Sequence, residues 1–177
     1  TTLGSSDNIF IGYNSGGGTW ANNASNANVA IGNYSMDDAM DGASNNVAIG
    51  QQAGAAITFG TRNVMIGTGA GELITTGDQC ISIGYDSDCA ADAQNSIAIG
   101  AFALATGSDC VSIGNNINNG TDRTVKFGDA GNSMVSLDWD TGGDSTWVRS
   151  SDIRKKRNIK DSDLGLEFIN KLRPVTY

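Results

Sequence analysis

The chain has 177 residues, with 24 glycines, one proline, no histidine and only 7% aromatic residues. So few bulky side chains argue against a compact globule, while an apolar fraction of 39% argues against disorder. The net charge is −8, with −12 on the first 148 residues and +4 on residues 149–177. An acidic body repels phosphates, so nucleic-acid binding is excluded, and the lack of histidine excludes histidine-based catalytic triads.

A five-residue motif ending in glycine recurs along most of the chain. Its copies are NIFIG 8–12, NVAIG 28–32, NVAIG 46–50, NVMIG 63–67, CISIG 80–84, SIAIG 96–100, CVSIG 110–114 and the degenerate TVKFG 124–128. Successive glycines lie 20, 18, 17, 17, 16, 14 and 14 residues apart. A repeat this short cannot bury a core alone, so the pattern predicts the stacked coils of a solenoid.

Each of the first seven copies has β-branched residues one and three positions before its glycine, as in Val29 and Ile31. Side chains alternate along a strand, so these two share one face. We predict that this face is the interior of each coil. The mostly Ala or Ser residue between them suits close approach of a neighbouring surface. The glycine fits a turn with positive φ, or a backbone with no room for a Cβ.

The repeat NVAIG-x-x-A resembles the head of trimeric autotransporter adhesins, a left-handed parallel β-roll, and similar repeats in phage tail fibres. The resemblance covers about residues 4–118 and implies a homotrimer. The predicted fold class is therefore all-β: a parallel β-roll or β-solenoid in a homotrimeric fibre, with a short α-helical segment at its C-terminus. The predicted β-roll covers residues 1–120, and a β connector with short strands near 134–139 and 146–149 covers residues 121–150.

Residues 151–177 change abruptly to a basic composition. Leu164, Phe168 and Leu172 recur at every fourth residue, which predicts a helix that ends before Pro174. No apolar run of about 18 residues occurs, so neither membrane insertion nor a signal peptide is predicted.

The string S-D-x-R-x-K-x-x-I that begins at Ser151, followed by a helix and LRPVTY, resembles the start of the endosialidase-type intramolecular chaperone of tailspike proteins. In that family the C-terminal domain promotes trimer folding and then cuts itself off at a Ser-Asp junction. The resemblance implies that Ser151 is the nucleophile, Lys156 its general base, and the Ser151–Asp152 bond the place of cleavage. Such a reaction is at most a single-turnover autoproteolysis. Residues 151–177 would be only the N-terminal part of that chaperone.

Aromatic residues near the repeat glycines are candidates for binding a receptor. Tyr13 and Tyr34, with Trp20 in the longest loop, could stack on sugar rings. The alternative is that they pack against neighbouring loops or chains.

No metal or cofactor is predicted. The acidic clusters around Asp88 and Asp140 lack the ligand spacing of a calcium loop, which favours solvated turns. Cys80, Cys89 and Cys110 are an odd number without metal-ligand spacing, so free thiols are expected. Two coils separate Cys80 from Cys110, about 9.6 Å at the usual strand spacing, which is beyond disulfide reach.

These features predict a structural and host-recognition component of a phage tail fibre, made in the host cytoplasm and carried on the virion. Its partners would be two further copies of itself, other tail proteins and a host cell-surface receptor such as a polysaccharide. One alternative is the head of a bacterial trimeric surface adhesin, which should continue into a coiled-coil stalk and membrane anchor. Another is a polysaccharide-degrading tailspike, which needs paired carboxylates in a groove; the sequence shows no recognisable pair.

Overall fold

The computed structural model describes residues 4–20, 23–130, 132–138 and 147–149. Within these residues the chain is all-β and winds into a β-solenoid, in which each motif copy supplies one strand. No helix occurs in this part of the chain. The helix predicted between Leu164 and Leu172 lies outside the described residues.

Ten strands form one sheet, in the order β1-β2-β3-β4-β5-β7-β9-β11-β12-β13. The strands are β1 Ile9–Ile11, β2 Val29–Ile31, β3 Val47–Ile49, β4 Val64–Ile66, β5 Ile81–Ile83, β6 Asp88–Cys89, β7 Ile97–Ile99, β8 Leu104–Ala105, β9 Val111–Ile113, β10 Asn118–Asn119, β11 Thr124–Asp129, β12 Asn132–Asp138 and β13 Trp147–Arg149. The first eight members of the sheet pair in parallel, so that equivalent motif residues lie side by side.

The last two strands of this sheet pair antiparallel, β11 with β12 and β12 with β13. They correspond to the short strands predicted near 134–139 and 146–149. A second, three-stranded parallel sheet, β10-β8-β6, forms the return side of the coils that follow β5, β7 and β9. It appears only where the repeat has shortened to 16 and 14 residues, because these coils have no spare residues for loops.

The repeat glycines form a stacked column with φ between 124° and 144°. A Cβ on Gly32 would collide with the carbonyl oxygen of Gly50, and the same holds for Gly50 against Gly67. Both predicted reasons for glycine are therefore present: a backbone that other residues rarely adopt, and no room for a side chain.

The interior of each coil is lined by the small residues, and the prediction that Ile and Val fill it is wrong. The central residues of β2, β3 and β7 are Ala30, Ala48 and Ala98, and all three are completely buried. In contrast, Ile9 and Ile11 are 52% and 58% exposed. In most coils the return side comes close enough to the strand that only a small side chain fits at its centre, whereas Met65 fills a wider space beside Gly54 and Gly71. The surface that approaches these small residues is thus the return side of the same coil.

Asparagines at the start of the motif form a ladder inside the first coils. The Nδ2 groups of Asn28, Asn46 and Asn63 each donate to the Oδ1 of the asparagine one coil earlier, at 3.1 Å in every case. The same Oδ1 atoms accept the backbone N–H of the next asparagine at 2.9–3.0 Å. Each Nδ2 group also donates to a backbone carbonyl oxygen at 2.7–2.8 Å, so the buried amides are satisfied and the stacking of neighbouring coils is fixed.

Candidate functional site

Two parallel columns of apolar side chains cover the outer face of the ten-stranded sheet from β1 to β11. We call this surface the Ile/Val face, and its members are Ile9, Ile11, Val29, Ile31, Val47, Ile49, Val64, Ile66, Ile81, Ile83, Ile97, Ile99, Val111, Ile113, Val125 and Phe127. Seven strand spacings separate its ends, a length of about 34 Å. None of its side chains is charged, polar or fully buried.

The Ile/Val face follows from the alternation of side chains along each strand. Asn46 and Ala48 point inward, so Val47 and Ile49 must point outward. Because every strand pairs in the same register, equivalent residues align in two continuous columns. Contiguous apolar surfaces of this extent mark interaction sites on soluble proteins.

Four of the aromatic residues near the repeat glycines form two edge-to-face pairs on neighbouring coils. The rings of Tyr13 and Tyr34 are 5.4 Å apart between centroids, and those of Tyr85 and Phe102 are 5.2 Å apart. Tyr13 is the most exposed of the four, at 69%. The structure thus brings two of the three predicted receptor-binding residues together on the surface.

The third predicted receptor-binding residue, Trp20, lies apart from that pair. Its ring packs edge-on against Phe10 at 5.5 Å, and its indole N–H donates to the carbonyl oxygen of Gly16 at 3.0 Å. Phe10 and Trp20 are half-buried and pack against the hydrophobic core. Trp20 thus packs against Phe10, and its role in receptor binding stays a prediction.

A cleft of about 330 Å³ brings carboxylates and apolar side chains together on the outside of the later coils. Its lining includes Glu72, Asp86 and Asp88, with Leu73 and Phe102 beside them. A second cleft of about 410 Å³, on the other side of Glu72 and Leu73, is lined by Asp37, Asp38, Ala55 and Ala56. The sequence did not reveal this grouping, because the residues belong to different coils.

Asp88 is the buried member of the cleft, with only 6% of its surface exposed. Its carboxylate accepts the backbone N–H groups of Leu73 and Cys89, each at 2.8 Å. Burial raises the pKa of Asp88 to about 7, and the nearby charges of Glu72 and Asp86 add to this effect. Asp88 is thus partly protonated near neutral pH while it holds two backbone groups in place.

The three cysteines are free and buried. Cys110 contacts Ser96, one coil away, whose hydroxyl stands between it and the position of Cys80. Cys80 and Cys89, in contrast, lie within one coil and interact directly. The sequence prediction compared only Cys80 with Cys110 and missed this pair, because Cys89 lies outside the motif.

Several predicted features lie outside the described residues. They include the candidate nucleophile Ser151, its base Lys156, the Ser151–Asp152 junction and the acidic cluster around Asp140. Among the residues that are described, no group of three or more His, Cys, Asp or Glu side chains is suited to hold a metal ion. No helix in that part of the chain is long and apolar enough to cross a membrane.

A scan against protein-family models and searches of curated proteins and of solved structures gave no match to this chain. Its function must therefore be inferred from its own residues and geometry.

Proposed function

We propose that this chain is a structural and host-recognition component of a trimeric phage tail fibre. The observation that carries the proposal is the Ile/Val face, an uncharged apolar strip along the whole solenoid. A second copy of the chain is the partner that fits it, because identical repeats present identical flat strips with the same strand spacing. Three copies around one axis agree with the resemblance of the repeat to trimeric β-rolls.

Burial of the Ile/Val face would supply stability that a single thin coil lacks. The coil interior consists largely of Ala, Ser, Asn and Cys, which contribute little hydrophobic free energy. The Ile and Val side chains of the strands are instead exposed or half-buried. Complete burial of one β-branched side chain contributes about 1.5–3 kcal/mol. Association would therefore stabilise each chain by the sum of many similar contributions, one from each side chain that it covers.

The oligomer is tested by one charge placed on the Ile/Val face. Ile49→Lys is compared with Thr76→Lys, a control whose exposed side chain lies outside the ten-stranded sheet. Both are made in a Ser151→Ala background, so that self-cleavage does not alter the chain mass. We expect Thr76→Lys to keep a native mass three times the 18.3 kDa of the chain and Ile49→Lys to dissociate or fail to assemble. A monomeric parent protein would refute the proposed trimer.

Host recognition is assigned to the exposed pair Tyr13 and Tyr34. Exposed tyrosine rings can stack on sugar rings while their hydroxyl groups form hydrogen bonds with sugar hydroxyls. The test measures binding of the purified trimer to an array of bacterial capsular and O-antigen polysaccharides. Tyr13→Ala should lose binding, while Tyr85→Ala, in the equivalent pair farther along the rod, should keep it. Equal binding by both variants would place recognition elsewhere.

Self-cleavage remains part of the proposal on the strength of the Ser-Asp-x-Arg-x-Lys string at residues 151–156. A lysine can activate a serine only when it is neutral, and the adjacent basic residues favour the neutral form. Self-cleavage of the expressed protein should give a product that ends near Ser151, which mass spectrometry under denaturing conditions detects. Ser151→Ala and Lys156→Ala should leave that chain intact, whereas Lys155→Ala should still be cleaved. Cleavage of all three variants would refute the assigned roles.

The cleft around Asp88 favours polysaccharide hydrolysis as a second candidate function. Glycoside hydrolysis needs one carboxyl that carries a proton and another that is ionised. Asp88, with its pKa raised to about 7, fits the acid, and Glu72 and Asp86 supply two further carboxyl groups in the same cleft. Phe102 lines the same cleft and offers a ring on which a sugar can stack.

Hydrolysis is tested by the release of reducing ends from host polysaccharide. A hydrolase should lose activity in Asp88→Asn and keep it in Asp92→Asn, because Asp92 is exposed and does not line the cleft. The rate should also fall as pH rises past 7, when the acid loses its proton. Absence of reducing ends with a polysaccharide that the trimer binds would leave the fibre as a binder only.

A further inference from the structure

Two cysteine side chains face each other across the interior of one coil. Cys80 immediately precedes β5 and shares the inward face of that strand with Ser82. Cys89 ends β6, which forms the return side of the same coil. The Ser82 hydroxyl donates to the Cys89 sulfur at 3.6 Å, so the Cys89 side chain reaches across to the inward face of β5.

The two thiols also share their surroundings. The Cys80 thiol donates to the carbonyl oxygen of Ala93 at 3.2 Å, and the Cys89 thiol lies 3.7 Å from the carbonyl oxygen of Ser96. Both side chains are completely buried. A hydrogen bond from Cys89 lowers the pKa of Cys80, whereas the same bond and burial raise the pKa of Cys89. Each thiol thus shifts the pKa of the other, as expected for two sulfur atoms that lie close together.

We propose that Cys80 and Cys89 form a reversible disulfide that closes this coil across its narrow dimension. Hydrogen peroxide is the oxidant to be considered, because it is small and neutral. The Cys80 thiolate attacks one peroxide oxygen, the O–O bond breaks, hydroxide leaves and a sulfenic acid remains on Cys80. The Cys89 sulfur then displaces that oxygen, which leaves as water with the Cys89 proton. The hydroxide takes up the proton that Cys80 released on ionising, so the two thiols together lose two electrons and two protons, and one peroxide becomes two waters.

The third cysteine lacks such a partner. Cys110 occupies the motif position of Cys80 two coils later, and the position that corresponds to Cys89 is there taken by Asn119. The Cys110 thiol contacts the carbonyl oxygens of Gly107 and Asn119 instead. Between the two cysteine coils, the same two positions hold Ser96 and Ala105. Only one coil of the described solenoid thus contains both sulfur atoms.

The intervening coil provides the variants for the test. Cys80→Ser and Cys89→Ala introduce the residues that Ser96 and Ala105 already place at these positions, so the coil should still fold. Cys110→Ala is the matched control. The full chain is reduced and then treated with hydrogen peroxide, either folded or during refolding from denaturant. It is next denatured and alkylated, and the modified cysteines are counted by mass.

Cleavage before aspartate separates the three cysteines, because the products 78–85, 88–91 and 109–121 each contain one of them. We expect a link between 78–85 and 88–91, a loss of two hydrogens, and one alkylated cysteine instead of three. The link should persist in Cys110→Ala and be absent from Cys80→Ser and Cys89→Ala. Oxidation should also raise Tm of the parent protein by roughly 3–8 °C and leave Tm of Cys89→Ala unchanged.

Two results would overturn the proposal. One is three alkylated cysteines after refolding in peroxide that oxidises a small dithiol in the same tube. The other is a crosslink that joins 109–121 to either of the other products. Neither result depends on whether the protein is a tail fibre, because the measurement concerns one coil of one chain.

Discussion

The coils before and after Cys80 hold their strands together in different ways. In the earlier coils, asparagine side chains stack through Asn28, Asn46 and Asn63, and the return side consists of loops. In the later coils, the same motif position holds Cys80, Ser96 and Cys110, and the short strands β6, β8 and β10 pair on the return side. Backbone hydrogen bonds also join the return segments of the earlier coils, as from the Met36 N–H to the Ala53 carbonyl oxygen at 3.1 Å. The difference is therefore that the earlier coils add an amide ladder, whereas the later coils add regular strand pairing on the return side.

The two regions also fill their interiors differently. The longer coils contain extra residues, and these bring Met36, Met40, Ile57 and Ile74 into the core. The shorter coils fill the corresponding space with Cys89, Ala93, Ala105 and Ile117. The motif strand is the same throughout, so the length of the return segment decides how much apolar volume a coil encloses.

The largest expected difference comes from deleting one amide of the ladder. Asn46→Ala removes the donor to Asn28 and to the Gly60 carbonyl, and the acceptor for the N–H and Nδ2 of Asn63. We expect a loss of about 3 kcal/mol in the free energy of unfolding per chain, because several buried groups lose their partners. Ser96→Ala, in the later coils, should cost about 1 kcal/mol. Equal losses in denaturant titrations would show that the two regions do not differ in this respect.

A cavity in the core of the fourth motif copy should have the next largest effect. Met65 is the largest fully buried residue at the centre of a motif strand, and Gly54 and Gly71 leave the space that it fills. Met65→Ala should lower the free energy of unfolding by about 2–4 kcal/mol. Ser82→Ala, one coil later in the same column, should change it by less than about 1 kcal/mol. A small effect at Met65 would mean that the coil collapses around the deletion.

The third prediction concerns pH and only the later coils, because Asp88 belongs to β6. A carboxyl whose pKa is about 7 in the folded chain and 3.8 when unfolded binds protons more tightly when folded. It stabilises the fold below about pH 4, and this contribution is lost as pH rises to 7. Relative to Asp88→Asn, the parent protein should lose on the order of 2 kcal/mol per chain between these pH values.

Thermal unfolding of the two proteins across this pH range checks the Asp88 prediction. Asp92→Asn is the control, because Asp92 is exposed. Parallel stability profiles for the parent and Asp88→Asn would contradict the raised pKa.

The smallest effect should be the same in both regions. The Tyr13–Tyr34 and Tyr85–Phe102 pairs have nearly the same separation and angle. Double-mutant cycles to alanine should therefore give a coupling of about 1 kcal/mol for each pair. A much larger coupling for one pair would show that its ring contact depends on neighbours that the other lacks.

Much of the fold was predictable because the repeat is regular. The motif predicted strands at Val29–Ile31 and its equivalents, and the glycine predicted a positive φ; the structure confirms both. Alternation also predicted that Val29 and Ile31 share a face. It could not tell which face is inside, since that depends on the thickness of the coil. The sequence did offer one clue. Asn28 lies two residues before Ala30 and therefore on the same face, and stacked asparagines are expected inside a coil.

The candidate sites were less predictable for a physical reason. Asp88 and Cys89 lie outside the motif, in return segments whose lengths vary from coil to coil. Glu72 lies near Asp88 because neighbouring coils stack, and Cys80 lies near Cys89 because one coil closes on itself. Neither relation corresponds to a fixed spacing along the chain. Counting five residues past each repeat glycine would have placed Cys89, Ala105 and Asn119 in one column.

The uniform register of the motif strands has a consequence for inheritance. Val47, Val64 and Ile81 pair successively, with their neighbours in the same alignment at each step. Deletion of one whole coil would therefore bring together two strands whose register already matches. Duplication of a coil would insert a strand that pairs with both of its neighbours. Such a gene can lengthen or shorten its product by about 4.8 Å at a time. Recombination between repeats thus offers rods of many lengths without a new fold having to arise.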